Sequence, residues 1–453
     1  MKTAGPLASD SVGRAAPLWR LLQATARVVQ AVREGRSASA ALDQVEHGLR
    51  PGVQALSFAV LRQLGTAQAL CARLARRQPP VAAASLLCSA LALACRAEDL
   101  GYDPHTLVDQ TVEAAKRNPA TARQADFINA CLRRFLRERD SLLGQVMEEP
   151  AARWNHPPWW VQRLRQDHPQ RWQAILEADG RRAPMTLRVN IRRSSVAACT
   201  ELLSAAGIQA QPVGRFGLEL RQPRPVQDIP GFAQGWWSVQ DAAAQLAAPL
   251  LLDGLAVAGK PLQVLDACAA PGGKTAHLLE WADCQVTALD IDPLRCERMA
   301  QNLDRLGLRA RVIVADAAQP EIWRRELGGA LYDAILLDAP CTASGIVRRR
   351  PDAPWLRREA DIAQSARTQE LLLRALWPLL KSGGRLLYCT CSVFLAEGAE
   401  QVQSFVANNS DAVLRPAPGQ LLPQSPVNGD LVRDNPIGNH DGFFYALLEK
   451  LPR

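Results

Sequence analysis

The sequence predicts a multidomain protein: an all-α N-terminal domain, then a small α+β subdomain, then an α/β domain built on a doubly wound parallel sheet. Three changes of texture along the chain predict it. Residues 16–145 carry helical apolar periodicity with no strand signal; residues 146–240 are rich in Trp, Pro and Arg; from 241 to 453 short apolar runs alternate with helix-length segments. Residues 1–15 mix Gly, Ser, Asp and Pro and are expected to form a flexible tail.

In the first domain, Leu18, Leu21 and Leu22 begin the periodicity, and Gly35, Pro51, Pro79–Pro80 and Pro104 punctuate it. Its apolar run Val81–Cys95 falls short of the roughly 20 residues that cross a bilayer and reads as a buried core helix. A last helix near Ala122–Arg139 places Ile128, Leu132 and Phe135 on one side. Arg133, Arg134, Arg137 and Arg139 crowd the other, either as a solvated face or as a surface for phosphates. The middle segment combines β-like runs (Met185–Ile191, Leu218–Leu220) with a helical one (Val196–Ala206). Its Trp pairs suit either a small core or stacking on bases. In the last domain, strands are expected at Leu262–Leu265, Gln285–Leu289, Ala310–Val314, Tyr332–Leu337 and Arg385–Cys389, with helices at Pro293–Leu306 and Ile362–Leu380.

Composition narrows the class. Hydrophobic residues at 48% and charged residues at 22% describe an ordinary globular chain, and a net charge of +8 is compatible with a polyanionic partner. Neither a secretory leader nor a membrane span is recognisable, so a cytoplasmic protein is expected. The eleven cysteines lack zinc-ligand spacing, so no metal site is expected and most thiols should be reduced core residues.

In a doubly wound sheet, ligands bind where strands end at their carboxyl side. The first strand runs into Asp266-Ala-Cys-Ala-Ala-Pro-Gly-Gly-Lys-Thr275, which opens a helix. Gly272 and Gly273 lack the Cβ atoms that would block close backbone approach, and the helix start has free N–H donors. The spacing fits neither a dinucleotide fingerprint nor a P-loop. The second strand ends at Asp290, placed to accept from a ribose diol, and the third is followed by Asp316, placed to accept from an adenine amine. A ribose and an adenine without a pyrophosphate describe S-adenosylmethionine.

The fourth strand ends Leu337-Asp338-Ala-Pro-Cys341 and the fifth Tyr388-Cys-Thr-Cys391-Ser, so two neighbouring strand ends bring a thiol each to the cofactor rim. That pairing suits methylation of carbon 5 of a cytosine. A thiolate adding to carbon 6 makes the ring an enamine, and a group near ring nitrogen 3, for which Asp338 is the candidate, stabilises the developing charge. A free thiol titrates near about 8.5, so the attacking cysteine needs electropositive neighbours. Lys274, Arg348 and Arg349 are candidates, unless Arg348–Arg350 is a solvated run. The chemistry requires one of the two thiols to attack and does not choose between them.

These segments together resemble the RNA 5-methylcytosine methyltransferase family, most closely its Fmu/Sun (RsmB) 16S ribosomal RNA branch. Besides the motifs above, the resemblance rests on Gly345, Pro351-Asp352, Trp237-Ser-Val-Gln-Asp241, Asp441-Gly-Phe-Phe444, and Asn118-Pro119 through Asn129-Ala-Cys-Leu-Arg-Arg134. It implies a NusB-like RNA-binding domain at the front and a Rossmann-like class I methyltransferase domain at the back. It implies methylation of one cytosine of 16S ribosomal RNA, cytosine 967, by a monomer that takes no DNA and no membrane as partner. Cys391 would be the nucleophile and Cys341 the thiol assisting release, with Asp338 beside them. Cys268, Ala269, Ala270, Pro271, Gly272, Gly273, Lys274, Asp290, Asp316 and Asp338 would line the S-adenosylmethionine site. Cys389 departs from the family, where a small residue such as Ala is usual, and adds a thiol sensitive to oxidation. Two other readings are a DNA cytosine methyltransferase with Cys341 as nucleophile and an RNA-binding module with a degenerate enzyme domain. The Thr390-Cys391 pair argues against the first, and the intact loop with both cysteines against the second.

Overall fold

The structure, a computed structural model, describes residues 16–96, 103–256, 259–325, 328–329, 331–423 and 439–452; the tail expected at 1–15 lies outside them. The chain divides into two compact units, Met1–Val161 with Pro354–Leu356, and Gln162–Ala353 with Arg357–Arg453.

The described part of the first unit contains helices and no strand. Its centre is the helix Val81–Cys95, in which every residue from Ala83 to Ala94 is buried. A helix apolar on all sides belongs inside a bundle, and this one packs against Leu18–Arg33, Arg50–Leu61, Leu64–Leu74 and Pro104–Lys116. The basic helix ends earlier than expected, spanning Ala125–Arg137 and burying Ile128, Leu132 and Phe135. Arg139 opens the next helix and donates to the Cys95 carbonyl at 3.2 Å, so it leaves the basic face. Arg133, Arg134 and Arg137 remain exposed on that face.

The second unit holds two sheets. Strands β1 (Met185–Val189), β2 (Ala210–Val213), β3 (Gly217–Leu220) and β4 (Trp237–Val239) form an antiparallel sheet in the order β2-β3-β1-β4. The helix Val196–Ala205 packs on β2 and β3 over Leu187, Val189, Leu203 and Leu218. Trp237 is buried there, and its indole N–H donates to the Pro230 carbonyl at 2.8 Å. Trp160, which falls in the first unit, is also fully buried.

The larger sheet contains β5 (Leu262–Asp266), β6 (Cys284–Asp290), β7 (Arg311–Val314), β8 (Tyr332–Asp338), β9 (Leu380–Thr390), β10 (Ala412–Leu421) and β11 (Phe443–Lys450), in the order β10-β11-β9-β8-β5-β6-β7. The five strands from β7 to β9 are parallel, but β11 runs antiparallel to β9, and β10 to β11. The sheet therefore has the expected parallel strands at its centre, with β11 antiparallel beside them. Side chains alternate between two cores: Val264, Leu336 and Leu387 face one, and Leu265, Leu337 and Tyr388 the other. The expected helix Ile362–Leu380 is Glu359–Leu376, followed by a tight turn at Trp377–Leu379, and Leu380 already belongs to β9.

One buried arginine ties the small sheet to the large one. Arg188 of β1 is 0% exposed and makes a two-pronged ion pair with Glu280 at 3.0 and 2.8 Å. It also donates to the Gln240 side chain and to the Gly273 carbonyl, the latter at 2.7 Å. Glu280 and Gly273 lie at opposite ends of the helix Gly273–Trp281 that follows β5. Removing one partner of a buried pair leaves the other charge uncompensated. Arg188→Ala is therefore expected to cost about 3–5 kcal/mol of stability, measured from the shift in its denaturation midpoint.

Candidate active site

The sheet order reverses beside β5: β6 leaves to one side of it and β8 to the other. A crevice must open there at the carboxyl ends of the strands. It is a cavity of about 510 Å³, lined by Cys268 and Ala270 after β5, Asp290 at the end of β6 and Asp316 after β7. Asp338 ends β8, and with Cys341 and Cys391 it completes the wall toward β9. Five strand ends far apart in sequence thus contribute to one cavity. Ala269, Pro271, Gly272, Gly273 and Lys274 belong to the same loop but are not among the residues that line it.

Local geometry explains the loop. Gly272 has φ +89°, and a Cβ there would lie 2.6 Å from Met299 Cγ, so this position requires glycine for backbone and packing reasons. At Gly273 a Cβ would meet nothing nearer than Gln240 at 3.8 Å, so the protein itself does not demand glycine there. Asp266 does not line the cavity; it is fully buried, and its Oδ2 accepts from the Thr275 hydroxyl at 2.7 Å. Burial pushes its carboxyl up to about 7. Of the four aspartates read at strand ends, Asp290, Asp316 and Asp338 face the cavity and Asp266 braces the loop from below.

Asp290 accepts from the Ala270 and Asp292 backbone N–H groups, each at 3.1 Å on a different oxygen. Asp316 accepts from the Ala318 N–H at 2.9 Å and from the Gln319 side chain at 2.8 Å. These bonds fix both carboxylates yet leave each oxygen a second lone pair for a ligand. Ile291, 69% exposed, stands at the cavity rim and offers an apolar face to a planar ring.

At the other end of the cavity, Asp338 Oδ2 accepts from Lys274 Nζ at 2.6 Å. Burial alone would push the Lys274 ammonium down, but Asp338, with Cys389 and Cys391 close by, holds it above its ordinary value. Cys389 lies opposite Asp338 in the parallel ladder, and its thiol donates to Asp338 Oδ1 at 3.5 Å. The strand stays regular through Thr390, and Cys389 is fully buried. Cys341 Sγ and Cys391 Sγ lie 3.4 Å apart, both half-buried. Its hydrogen bond to Cys391, reinforced by burial, holds the Cys341 thiol well above the ordinary thiol range.

Arg348 and Arg349 are engaged elsewhere, which corrects both readings offered for them. Both donate to Asp441, and Arg349 also reaches Asp241 at 2.8 Å and the Pro184 carbonyl at 3.0 Å. They join the segment after Gly345 to the ends of the chain's two other motifs and neither activate a thiol nor form a solvated run. Gly345 completes that junction: its N–H donates to the Cys391 carbonyl at 2.9 Å, and a Cβ on it would collide with the Gly442 carbonyl oxygen. Backbone cannot yield as a flexible side chain does. Gly345→Ala should push the Cys341 loop off the Cys391 strand end and reduce turnover about 100-fold, with the circular dichroism of the helices retained.

Sequence reading missed Glu397, a fully buried carboxylate six residues after Cys391 that bonds to both cysteine loops. An acidic residue following the run Val393-Phe-Leu-Ala396 was the available signal.

A seven-stranded sheet with its last strand antiparallel, and a strand-end cavity carrying paired carboxylates and paired thiols, define a class I methyltransferase. Comparison with known proteins places it further. Residues 258–449 match the family described as 16S rRNA methyltransferase RsmB/F, residues 156–227 the ferredoxin-like domain of RsmF/B-like methyltransferases, and residues 20–137 the NusB family. The chain is 40% identical to ribosomal RNA small subunit methyltransferase B of Vibrio cholerae, over 94% of this chain and 96% of that one. It is 37% identical to the Pasteurella multocida protein of the same name, over 94% of each. Among solved structures, PH0851 superposes with a TM-score of 0.70 at 24% identity, over 95% of this chain and 99% of the other. A methyltransferase homolog from Pyrococcus horikoshii does so at 0.54 and 29%, over 66% and 97%. The chain belongs to the RsmB/F family of 16S rRNA methyltransferases.

Proposed function

We propose that this protein methylates carbon 5 of a cytosine in 16S ribosomal RNA, the family's cytosine 967, with S-adenosylmethionine as donor, Cys391 as nucleophile and Cys341 assisting release. The observation that carries the reading is the pair of thiols 3.4 Å apart on the cavity that Asp290, Asp316 and Asp338 also line. The spare lone pairs of Asp290 suit a ribose diol, those of Asp316 an exocyclic amine, and Ile291 a purine face. The cavity thus fits S-adenosylmethionine, which when bound supplies an electrophilic methyl group.

The protein's own groups account for the rest. Carbon 5 of cytosine is too weak a nucleophile until sulfur adds to carbon 6. Burial and the hydrogen bond between the two sulfurs hold the Cys341 thiol up, which suits Cys341 to the part of proton donor and leaves attack to Cys391. An S–C6 bond forms, and the electrons of the C5–C6 double bond become available at carbon 5. An ionised Asp338 cannot donate to ring nitrogen 3, but the Lys274 ammonium it holds carries protons to share across the pair. After methylation a base, solvent water being within reach of the open cavity, takes the carbon 5 proton. The C–H electrons re-form the C5–C6 double bond and the S–C6 bond breaks with its electrons on the Cys391 sulfur, to which Cys341, 3.4 Å away, can give its proton.

RNA rather than DNA is the expected substrate, acted on by a monomer in the cytoplasm. Arg133, Arg134 and Arg137 on the NusB-like domain supply phosphate-binding charge. Among the described residues no helix is long and apolar enough to cross a membrane. Incubation with 16S RNA, matched DNA and S-adenosylmethionine carrying a labelled methyl group tests this. Label should enter RNA as 5-methylcytosine; label in DNA alone, or none with RNA binding intact, overturns the reading.

A further inference from the structure

The loop that carries Cys341 is not held by a strand. It leaves β8 after Asp338, and two residues past the cysteine, Ala343 has φ +62°, a left-handed conformation that an L side chain rarely adopts. Such a residue persists where its surroundings impose the conformation. Cys391, by contrast, directly follows β9, whose Thr390 pairs with Phe444 and whose Cys389 pairs with Asp338.

Glu397 lies between the two. It ends the tight turn Leu395–Glu397 and is 0% exposed. Its Oε1 accepts from the Thr342 N–H at 2.8 Å, and its Oε2 accepts from the Thr342 hydroxyl and, at 2.6 Å, from the Ser392 hydroxyl. Thr342 directly follows Cys341, and Ser392 directly follows Cys391. The Glu397 carbonyl in turn accepts from the Tyr388 and Thr390 hydroxyls of β9 at 2.8 and 3.2 Å. Past Ala343 the loop is tied to the same strand end by three further bonds: Ser344 to Ser392 at 2.8 Å, the Val393 N–H to Ser344 at 2.9 Å and the Gly345 N–H to the Cys391 carbonyl at 2.9 Å. Glu397 is therefore the side-chain link on the Cys341 side of Ala343. Gln369 and Arg357 also hold this loop, through the Pro340 and Thr342 carbonyls, but neither reaches the Cys391 side.

We propose that Glu397 is a positioning residue whose carboxylate clamps the Cys341 loop to the Cys391 strand end and so sets the distance between the two thiols. Cys391 has the sheet behind it, so loss of the clamp displaces Cys341 first. The kinetic consequence rests on the roles assigned above: attack survives, release slows, and the RNA stays attached.

The test uses the full chain with Glu397→Ala and Glu397→Gln. Glutamine keeps an oxygen for the Thr342 N–H and offers an amide that both hydroxyls can accept from when they rotate, so it preserves the clamp without the charge. Proximity is read without RNA or cofactor, by crosslinking with dibromobimane, which bridges only neighbouring thiols, and by mapping the Cys341–Cys391 product by mass spectrometry. Glu397→Ala should lose at least about tenfold in that product and about 100-fold in kcat, with the KM for S-adenosylmethionine little changed and covalent RNA accumulating. Glu397→Gln should stay within about threefold of the parent in both. Unchanged crosslinking in Glu397→Ala overturns the clamp, as does a Glu397→Gln enzyme as impaired as Glu397→Ala. Lost crosslinking with no covalent RNA, in this variant and in Cys341→Ala alike, keeps the clamp and overturns the role given to Cys341. If Glu397→Ala does not fold, Thr342→Val removes one donor isosterically and should lower crosslinking at least about threefold; no change there also overturns the proposal.

Discussion

Cys341→Ala is expected to leave RNA covalently attached to the protein, visible as a slow band on a denaturing gel, while Cys391→Ala yields neither the adduct nor methylated product. The expectation follows from the different standing of two thiols only 3.4 Å apart. Cys391 is aimed by the end of β9, has Lys274 close by, and faces a neighbour that retains its proton. Without it no sulfur reaches carbon 6, and carbon 5 stays unreactive. Without Cys341 the attack proceeds, but elimination loses its assisting group and the adduct persists. Loss of one essential member of a nucleophilic unit commonly removes about 10³-fold or more of the rate. A Cys391→Ala enzyme that still forms adduct, with Cys341→Ala inert, would exchange the two roles and revive a Pro-Cys nucleophile.

Asp338→Asn is expected to lower kcat by about 10²–10³-fold with RNA affinity nearly unchanged. The substitution keeps the shape of the side chain but removes the charge that holds the Lys274 ammonium at 2.6 Å. Lys274 is only 12% exposed, and burial without that partner pushes its proton off, so the pair loses charge and proton together. Under the proposed mechanism those are what the base needs as negative charge develops at nitrogen 3, a requirement of the transition state rather than of binding. Single-turnover methyl transfer measured beside a gel-shift affinity separates the two. A variant with normal transfer and weakened binding would place Asp338 in RNA recognition instead.

The all-α front was legible because Leu18–Arg33 and Ala125–Arg137 carry a helical apolar periodicity and Val81–Cys95 is an apolar run too long for an ordinary strand. The central parallel strands were legible because β5 and β8 are short runs buried on both faces. The antiparallel edge was not. β10 contains Pro416 and Pro418, its register slips between Arg415 and Gly419, and it is an edge strand, the one place where such a sequence can still pair. At the site, Asp290, Asp316 and Asp338 were legible as strand-end carboxylates. Asp266 looked equivalent by the same rule, yet the helix packed on β5 turns it inward to Thr275.

For this protein, the sequence by itself determined the order of its folds, the strand ends that bear carboxylates and thiols, and the class of enzyme. Those follow from local patterns, period and spacing, which a chain displays before it folds. The tertiary structure alone decided which of those groups meet. Lys274 pairs with Asp338 across 64 residues and Cys341 with Cys391 across 50, while Arg348 and Arg349 are drawn off to Asp441. The physical reason is that hydrogen bonds and ion pairs reach only a few ångströms, and how a parallel sheet is wound decides which distant strand ends come that close.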